Sequence, residues 1–231
     1  MRQTIFYIIL LLLGFSLTNC YKCEQNQVAN LKFTQDELKI NPYTGNEVLI
    51  FKNSNADSIV LPKGYRDSEI SEIYKYDYET AKLDHHGCQG DYYYRETNYF
   101  STQQNNPEAG LTIDLYFLYQ LSNPTSEKLF DMFIYTKNTT FCGFSGRYQF
   151  NVDTLKNYSV YSTIPDHDSI AAFHSLFVIN NKVYTNVYEL HCQNKDTRFP
   201  EYYSLAYYSI KDGLVGFKTN YGTTWYLDSK Y

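Results

Sequence analysis

The chain has 231 residues, with 20 Lys and Arg against 25 Asp and Glu, giving a net charge of −5 and a pI near 5.5. No block or stripe of basic residues is present, which excludes the electrostatic footprint of a nucleic-acid binder and a polybasic membrane-surface segment. Apolar residues make up 43% of the chain, enough to form a core and offset ordering entropy, so wholesale disorder is excluded too.

At the N-terminus, Met1-Arg2-Gln3 leads into the apolar run Ile5 to Leu13, then Gly14-Phe15-Ser16 and Leu17-Thr18-Asn19-Cys20. The run is shorter than the roughly 20 apolar residues that span a bilayer, and its flanks are those of an export signal. Leu17-Thr18-Asn19-Cys20 resembles a bacterial lipobox, departing from it at Asn19, where Gly, Ala or Ser is usual. We therefore expect residues 1–19 to be a signal peptide, residues 20–30 a lipid-anchored tether and residues 31–231 a single β-rich domain. The competing reading is cleavage after Cys20, which would leave a secreted chain. Either event removes Cys20 and leaves Cys23, Cys88, Cys142 and Cys192, an even number suited to disulfides in an oxidising compartment. Of the three possible pairings sequence selects none; a single bond would join two of Cys88, Cys142 and Cys192.

Past the tether, strand-like runs alternate with turn chemistry. Glu47 to Lys52 and Ser58 to Leu61 flank the polar turn Asn53 to Asp57, a hairpin signal closed by Pro62-Lys63-Gly64. Ile70 to Tyr78 alternates so that Glu72, Tyr74, Tyr76 and Tyr78 share one side. Tyr92 to Phe100 is an aromatic strand. Leu111 to Leu121 is almost continuously apolar and reads as a central strand covered on both faces. Leu129 to Tyr135 and Arg147 to Val152 follow. Residues 153–174 carry no clear period and read as an irregular connection, with a helical turn over Asp168 to Phe173. Leu176 to Ile179 and Val183 to Leu190 form a hairpin around Asn180-Asn181-Lys182, a turn tolerant of positive φ. Leu205 to Ile210 and Leu214 to Thr219 form another around Lys211-Asp212-Gly213, and Thr224 to Leu227 is the last strand.

No segment sustains a 3.6-residue period, and 26 Tyr with 15 Phe favour pleated surfaces. The expected fold is all-β: an antiparallel meander of about ten strands forming a curled sheet, half-barrel or barrel behind the signal segment. The chain resembles small envelope lipoproteins of Bacteroidota in Leu17-Thr18-Asn19-Cys20, in Gly45-Asn46-Glu47-Val48-Leu49-Ile50-Phe51, and in the closing stretches Ala206 to Phe217 and Gly222 to Leu227. The resemblance covers the two ends. It implies an exported, lipid-anchored β-domain and brings no active site with it.

Candidate chemistry is sparse. Asp84-His85-His86-Gly87-Cys88 and His191-Cys192 hold the donor types of a zinc site, with His86 and His191 as weak metal candidates at a spacing that matches no established pattern. Structural use of those cysteines is the plainer reading, and no cofactor is implied. Asp166-His167-Asp168 reads as a solvated turn, and the pair Asp67 and Glu69 lacks an opposing carboxyl group that sequence can identify. Gly143-Phe144-Ser145-Gly146 lacks the nucleophile-elbow spacing, and no phosphate-cradling glycine loop is present. The sequons at Asn138 and Asn157 read as accidental in so Asn-rich a chain. Tyr74, Tyr76 and Tyr78, with Tyr92 to Tyr94 and Tyr202, Tyr203, Tyr207 and Tyr208, form either an exposed platform for a protein or glycan partner or the filling of a wide core. The sequence thus favours a non-enzymatic binding or structural module tied to the cell envelope by lipid, palmitate included, on Cys20. Its rivals are a soluble secreted hydrolase or metal-dependent enzyme built around His86 and His191, and a half-barrel carrier of an apolar ligand.

Overall fold

A computed structural model describes residues 27–74, 92–102, 109–120, 123–136, 144–152, 154–157, 169–191 and 202–231. Fourteen strands and one short 3-10 helix (Glu37–Ile40) occupy the described residues. One sheet contains β1 (Gln27–Leu31), β4 (Tyr65–Tyr74), β5 (Tyr92–Ser101), β6 (Ala109–Gln120), β7 (Asn123–Thr136), β8 (Phe144–Asn151) and β9 (Thr154–Asn157). The other runs β10 (Ser169–Ile179), β11 (Lys182–His191), β12 (Tyr203–Ser209), β13 (Gly213–Thr219), β14 (Thr224–Lys230), β2 (Leu49–Lys52), β3 (Ser58–Leu61). The fold is all-β, as expected, and neither sheet closes into a barrel.

Period-2 patterning builds the interface between the sheets. Leu111, Ile113, Leu115 and Phe117 of β6 are buried while the residues between them are half-exposed, so the strand is covered on one face and not on the two that its continuous apolar run suggested, and Phe130, Met132 and Ile134 of β7 continue the buried face. These meet Leu49, Phe51, Leu190, Tyr208, Leu214 and Phe217 of the second sheet in one apolar cluster. Phe130 and Tyr208 touch across it with ring centroids 4.9 Å apart. Two polar ties cross as well: the Tyr148 hydroxyl donates to the His191 carbonyl at 3.2 Å, and Thr136 Oγ1 lies 2.8 Å from the Tyr203 hydroxyl.

Turn chemistry sets the registers. Asn180 and Asn181 take φ of 47° and 59°, so β10 and β11 pair through the two-residue turn that the Asn-Asn sequence specifies. The outer part of that hairpin lies on the far side of the second sheet, where Phe177 stacks on Tyr207 at 4.7 Å and Tyr184, Val187 and Val215 make a second small cluster. Lys182 fastens the tip by donating to the carbonyls of Leu227 and Asp228.

Four further sequence expectations are corrected. Ser169 to Phe173 is strand, not helical turn, because Ile170 and Ala172 pair with Leu190 and Glu189 of β11 and the ladder overrides a weak local preference. The connection over 153–174 contains β9, whose Leu155 is buried in the main cluster. β1 adds a parallel pairing to an otherwise antiparallel arrangement: it takes Tyr92 to Arg95 of β5, and β6 takes Thr97 to Ser101. Strands outnumber the ten expected, since four-residue strands such as β9 carry too few alternations to be read.

A close approach combined with a positive φ occurs at Gly213, which opens β13 just after the turn from β12. Its φ is +85°, and a Cβ there would lie 2.3 Å from the Tyr43 hydroxyl. Both facts forbid a side chain. Gly213→Ala is expected to cost at least about 2 kcal/mol, read as a lower urea midpoint with an unchanged m-value.

Candidate functional site

The segment between β1 and β2, residues 32–48, crosses one end of the sandwich and is organised by two short motifs. In Thr34-Gln35-Asp36-Glu37 the Thr34 N–H donates to Glu37 Oε2 at 2.8 Å and the Glu37 N–H returns to Thr34 Oγ1 at 3.2 Å, a reciprocal capping box that starts the 3-10 helix. In Thr44-Gly45-Asn46-Glu47 the Thr44 and Gly45 N–H groups donate to Glu47 at 2.8 and 2.9 Å. Burial would raise the pKa of both carboxyls. At Glu37 the Lys128 ammonium and Thr34 outweigh it, and at Glu47 the Thr44 and Gly45 donors do, so both lie below the ordinary carboxylate value.

Arg66 of β4 clasps this segment. Its Nη1 donates to the carbonyls of Asn41 and Tyr43, both at 3.0 Å, and its Nη2 to that of Leu38 at 2.9 Å. Its Nε donates to Asn98 Oδ1 of β5 at 3.1 Å. All four acceptors are uncharged. Asn98 is itself buried and spends its amide on the Asp67 carbonyl and Ser68 Oγ. Burial lowers the Arg66 pKa from its usual value, yet an arginine stays charged at neutral pH.

Above Arg66 opens a cleft of about 850 Å³ that straddles the two sheets. Gln35, Leu38, Lys39, Asn41 and Pro42 form one wall, Arg66 and Asn98 the floor, and Asn186, Ile210 and Lys211 the wall from the second sheet. Asn41 is 1% exposed, accepts from the Tyr43 N–H at 3.3 Å through Oδ1, and has no acceptor for its Nδ2 among the described residues. Asn186 holds φ at 52°, a costly conformation for a residue within a strand. The lining is donor-rich: three cations and four side-chain amides, with no carboxylate among these ten residues.

The residues singled out from sequence fall elsewhere or outside the described chain. Cys20, Cys23, Cys88, Cys142, Cys192, His86, Tyr76 and Tyr78 lie outside the described residues. His191 ends β11, half-buried, with its carbonyl taken by Tyr148. No group of three or more His, Cys, Asp or Glu placed to hold a metal occurs among the described residues. Tyr74 closes β4 opposite Tyr92. Tyr93, Tyr203 and Tyr208 are buried, while Tyr92, Tyr94, Tyr202 and Tyr207 are half-buried. The cleft residues had no motif to reveal them, although the spacing Thr34-x-x-Glu37 marks a capped turn in the wall.

A pair of carboxyls also escaped the sequence reading. Asp114 of β6 sits directly opposite Asp131 of β7. Asp131 is held by Arg147 at 3.0 Å and by the Tyr116 hydroxyl at 2.8 Å, whereas burial, then the Asp131 charge, push Asp114 up to about 6. No protein-family model matches the chain, and no curated protein or solved structure does.

A raised carboxyl pKa means the folded state binds a proton that the unfolded chain has already shed, so stability falls as pH rises from 3.8 to about 6. Asp114→Asn removes that penalty. After discounting for partial exposure it is expected to raise stability by about 1–2 kcal/mol at pH 7–8 and by nothing near pH 4, measured by urea denaturation across pH.

Proposed function

We propose that this protein is an exported, lipid-anchored envelope component whose β-sandwich is a binding module, with the Arg66 cleft as its ligand seat. The attachment is supported by the apolar leader ending at Cys20 in Leu17-Thr18-Asn19-Cys20 and by the polar stretch that follows. Several acyl chains on Cys20, at about 0.8 kcal/mol for each buried CH₂, would make anchoring effectively permanent.

The observation that carries the binding reading is the donor-rich cleft itself. It spans both sheets, and it has volume for a small polar molecule. Amides and cations on rigid strands hold and orient a ligand; nothing in that set pairs a nucleophile with a base. The volume between the sheets is taken up by buried rings, Phe51, Phe100, Phe130 and Phe217 among them, so support for an apolar carrier is weaker.

Two measurements test the reading. Radioactive fatty acid is expected to label the wild-type protein and to leave Cys20→Ser unlabelled; equal label in both ends the lipoprotein assignment. Hydrogen exchange of the lipidated protein, titrated with a panel of neutral and charged sugars, is expected to slow in peptides covering residues 35–42 and 209–213. Protection confined to other segments would place the seat elsewhere.

A further inference from the structure

We infer that the cleft recognises its ligand through an anionic group, a carboxylate or a phosphate, docked against Arg66, Asn41 and Lys211. The inference rests on the cleft being the ligand seat and adds the chemistry of what it holds.

Donor arithmetic at Arg66 comes first. A guanidinium has five N–H groups, and Arg66 spends four: two from Nη1, one from Nη2 and one from Nε. One Nη2 hydrogen remains, and the side chain lines the cleft. No carboxylate is hydrogen-bonded to the guanidinium: every acceptor around it is a neutral carbonyl or amide oxygen, and Glu47 acts on it through its charge without a contact.

The acids near the cleft are otherwise engaged. Asp36 pairs with Lys39 at 2.6 Å, Glu47 is consumed by its own turn, and Asp212 accepts from Ser209 Oγ at 3.2 Å. Lys211 has no ion-pair partner among the described residues. Asn41 supplies an independent sign. Its amide nitrogen is buried on the cleft wall without an acceptor, a state that normally costs stability and that an anion's oxygen would relieve. A single remaining Arg66 donor excludes the two-point fork; the anion is gripped at one oxygen by Arg66, with Asn41 and Lys211 taking the others.

Calorimetry on the lipidated protein in detergent tests this with four probes: glucose, glucuronate, glucose 6-phosphate and inorganic phosphate. Binding is expected for glucuronate or glucose 6-phosphate, weakening as salt is raised, and none for glucose; the arms separate a carboxylate from a phosphate and a carried phosphate from the free ion. Asn41→Asp keeps the acceptor for the Tyr43 N–H and adds a negative charge to the wall, and Lys211→Glu reverses the exposed rim. Each is expected to weaken binding about tenfold to a hundredfold; the melting temperature holds for the exposed Lys211→Glu and falls for Asn41→Asp, whose added charge is buried. Glucose binding as tightly as its charged derivatives would overturn the anion and leave the seat standing. Charged probes binding both variants as they bind wild type would overturn both. Silence from all four probes up to about 10 mM would overturn the anion alone if the sugar panel still protects residues 35–42.

Discussion

One guanidinium holds the end of this sandwich together. The segment 32–48 pairs with neither sheet along most of its length, so its carbonyls have no ladder to join, and buried carbonyls without donors are costly. Arg66 answers three of them at once, at Leu38, Asn41 and Tyr43, and anchors itself to Asn98. A lysine could not do the same: its three donors radiate from one nitrogen, whereas the planar fork presents fixed N–H directions to several acceptors. With the segment fixed, Ile40 and Tyr43 enter the core, and the wall of the cleft is set by the same contacts.

Tyrosine shares that core with phenylalanine because buried tyrosine hydroxyls find partners there. The Tyr208 hydroxyl, reaching from β12, donates to the Ile40 carbonyl at 2.5 Å. Tyr43, stacked on Phe100 at 4.7 Å, accepts from the Leu214 N–H at 2.7 Å. Each ring thus contributes apolar area to one sheet and a polar tie to another element. Burial raises both phenols above their ordinary pKa, so they stay neutral and the ties persist across the physiological range. Gly213 belongs to the same arrangement, since only a residue without a side chain lets the β12–β13 turn close over Tyr43.

What could be read from sequence was what repeats locally. The Asn180-Asn181 turn depends on neighbours two or three residues apart and is found as expected, whereas Leu111 to Phe117, read from its continuous apolar run as covered on both faces, buries only alternate residues. The first part of the Ser169–Ile179 strand, before Leu176, was obscured because its identity depends on β11, and the half-buried and exposed positions of the strand include apolar residues on both faces. Arg66 was invisible for a stronger reason. Three of its four partners are backbone carbonyls, which every residue carries, at sequence separations of 23 to 28. No side-chain pattern can encode such a site. The Asp114–Asp131 pair is likewise a product of register, since nothing near either residue announces the other.

Charge allocation explains how an acidic protein presents a cationic cleft. Its carboxylates are drawn into fixed roles: Glu37 with Lys128, Asp131 with Arg147, Asp228 with Lys52, and Glu96 with the Phe33 N–H at 2.9 Å. Arg66 is hydrogen-bonded only to neutral dipoles, with Glu47 acting on it through its charge and not through a contact, so its charge stays available while its geometry is locked. The net charge of −5 works against an approaching anion at long range, but that repulsion is screened beyond about 8 Å at physiological salt. Inside the cleft the balance reverses, because partly desolvated donors act at contact distance and need no reorganisation. An anion held this way gains little from electrostatic steering and much from preorganised hydrogen bonds, so selectivity at the cleft would lie in the dissociation rate rather than in the rate of encounter.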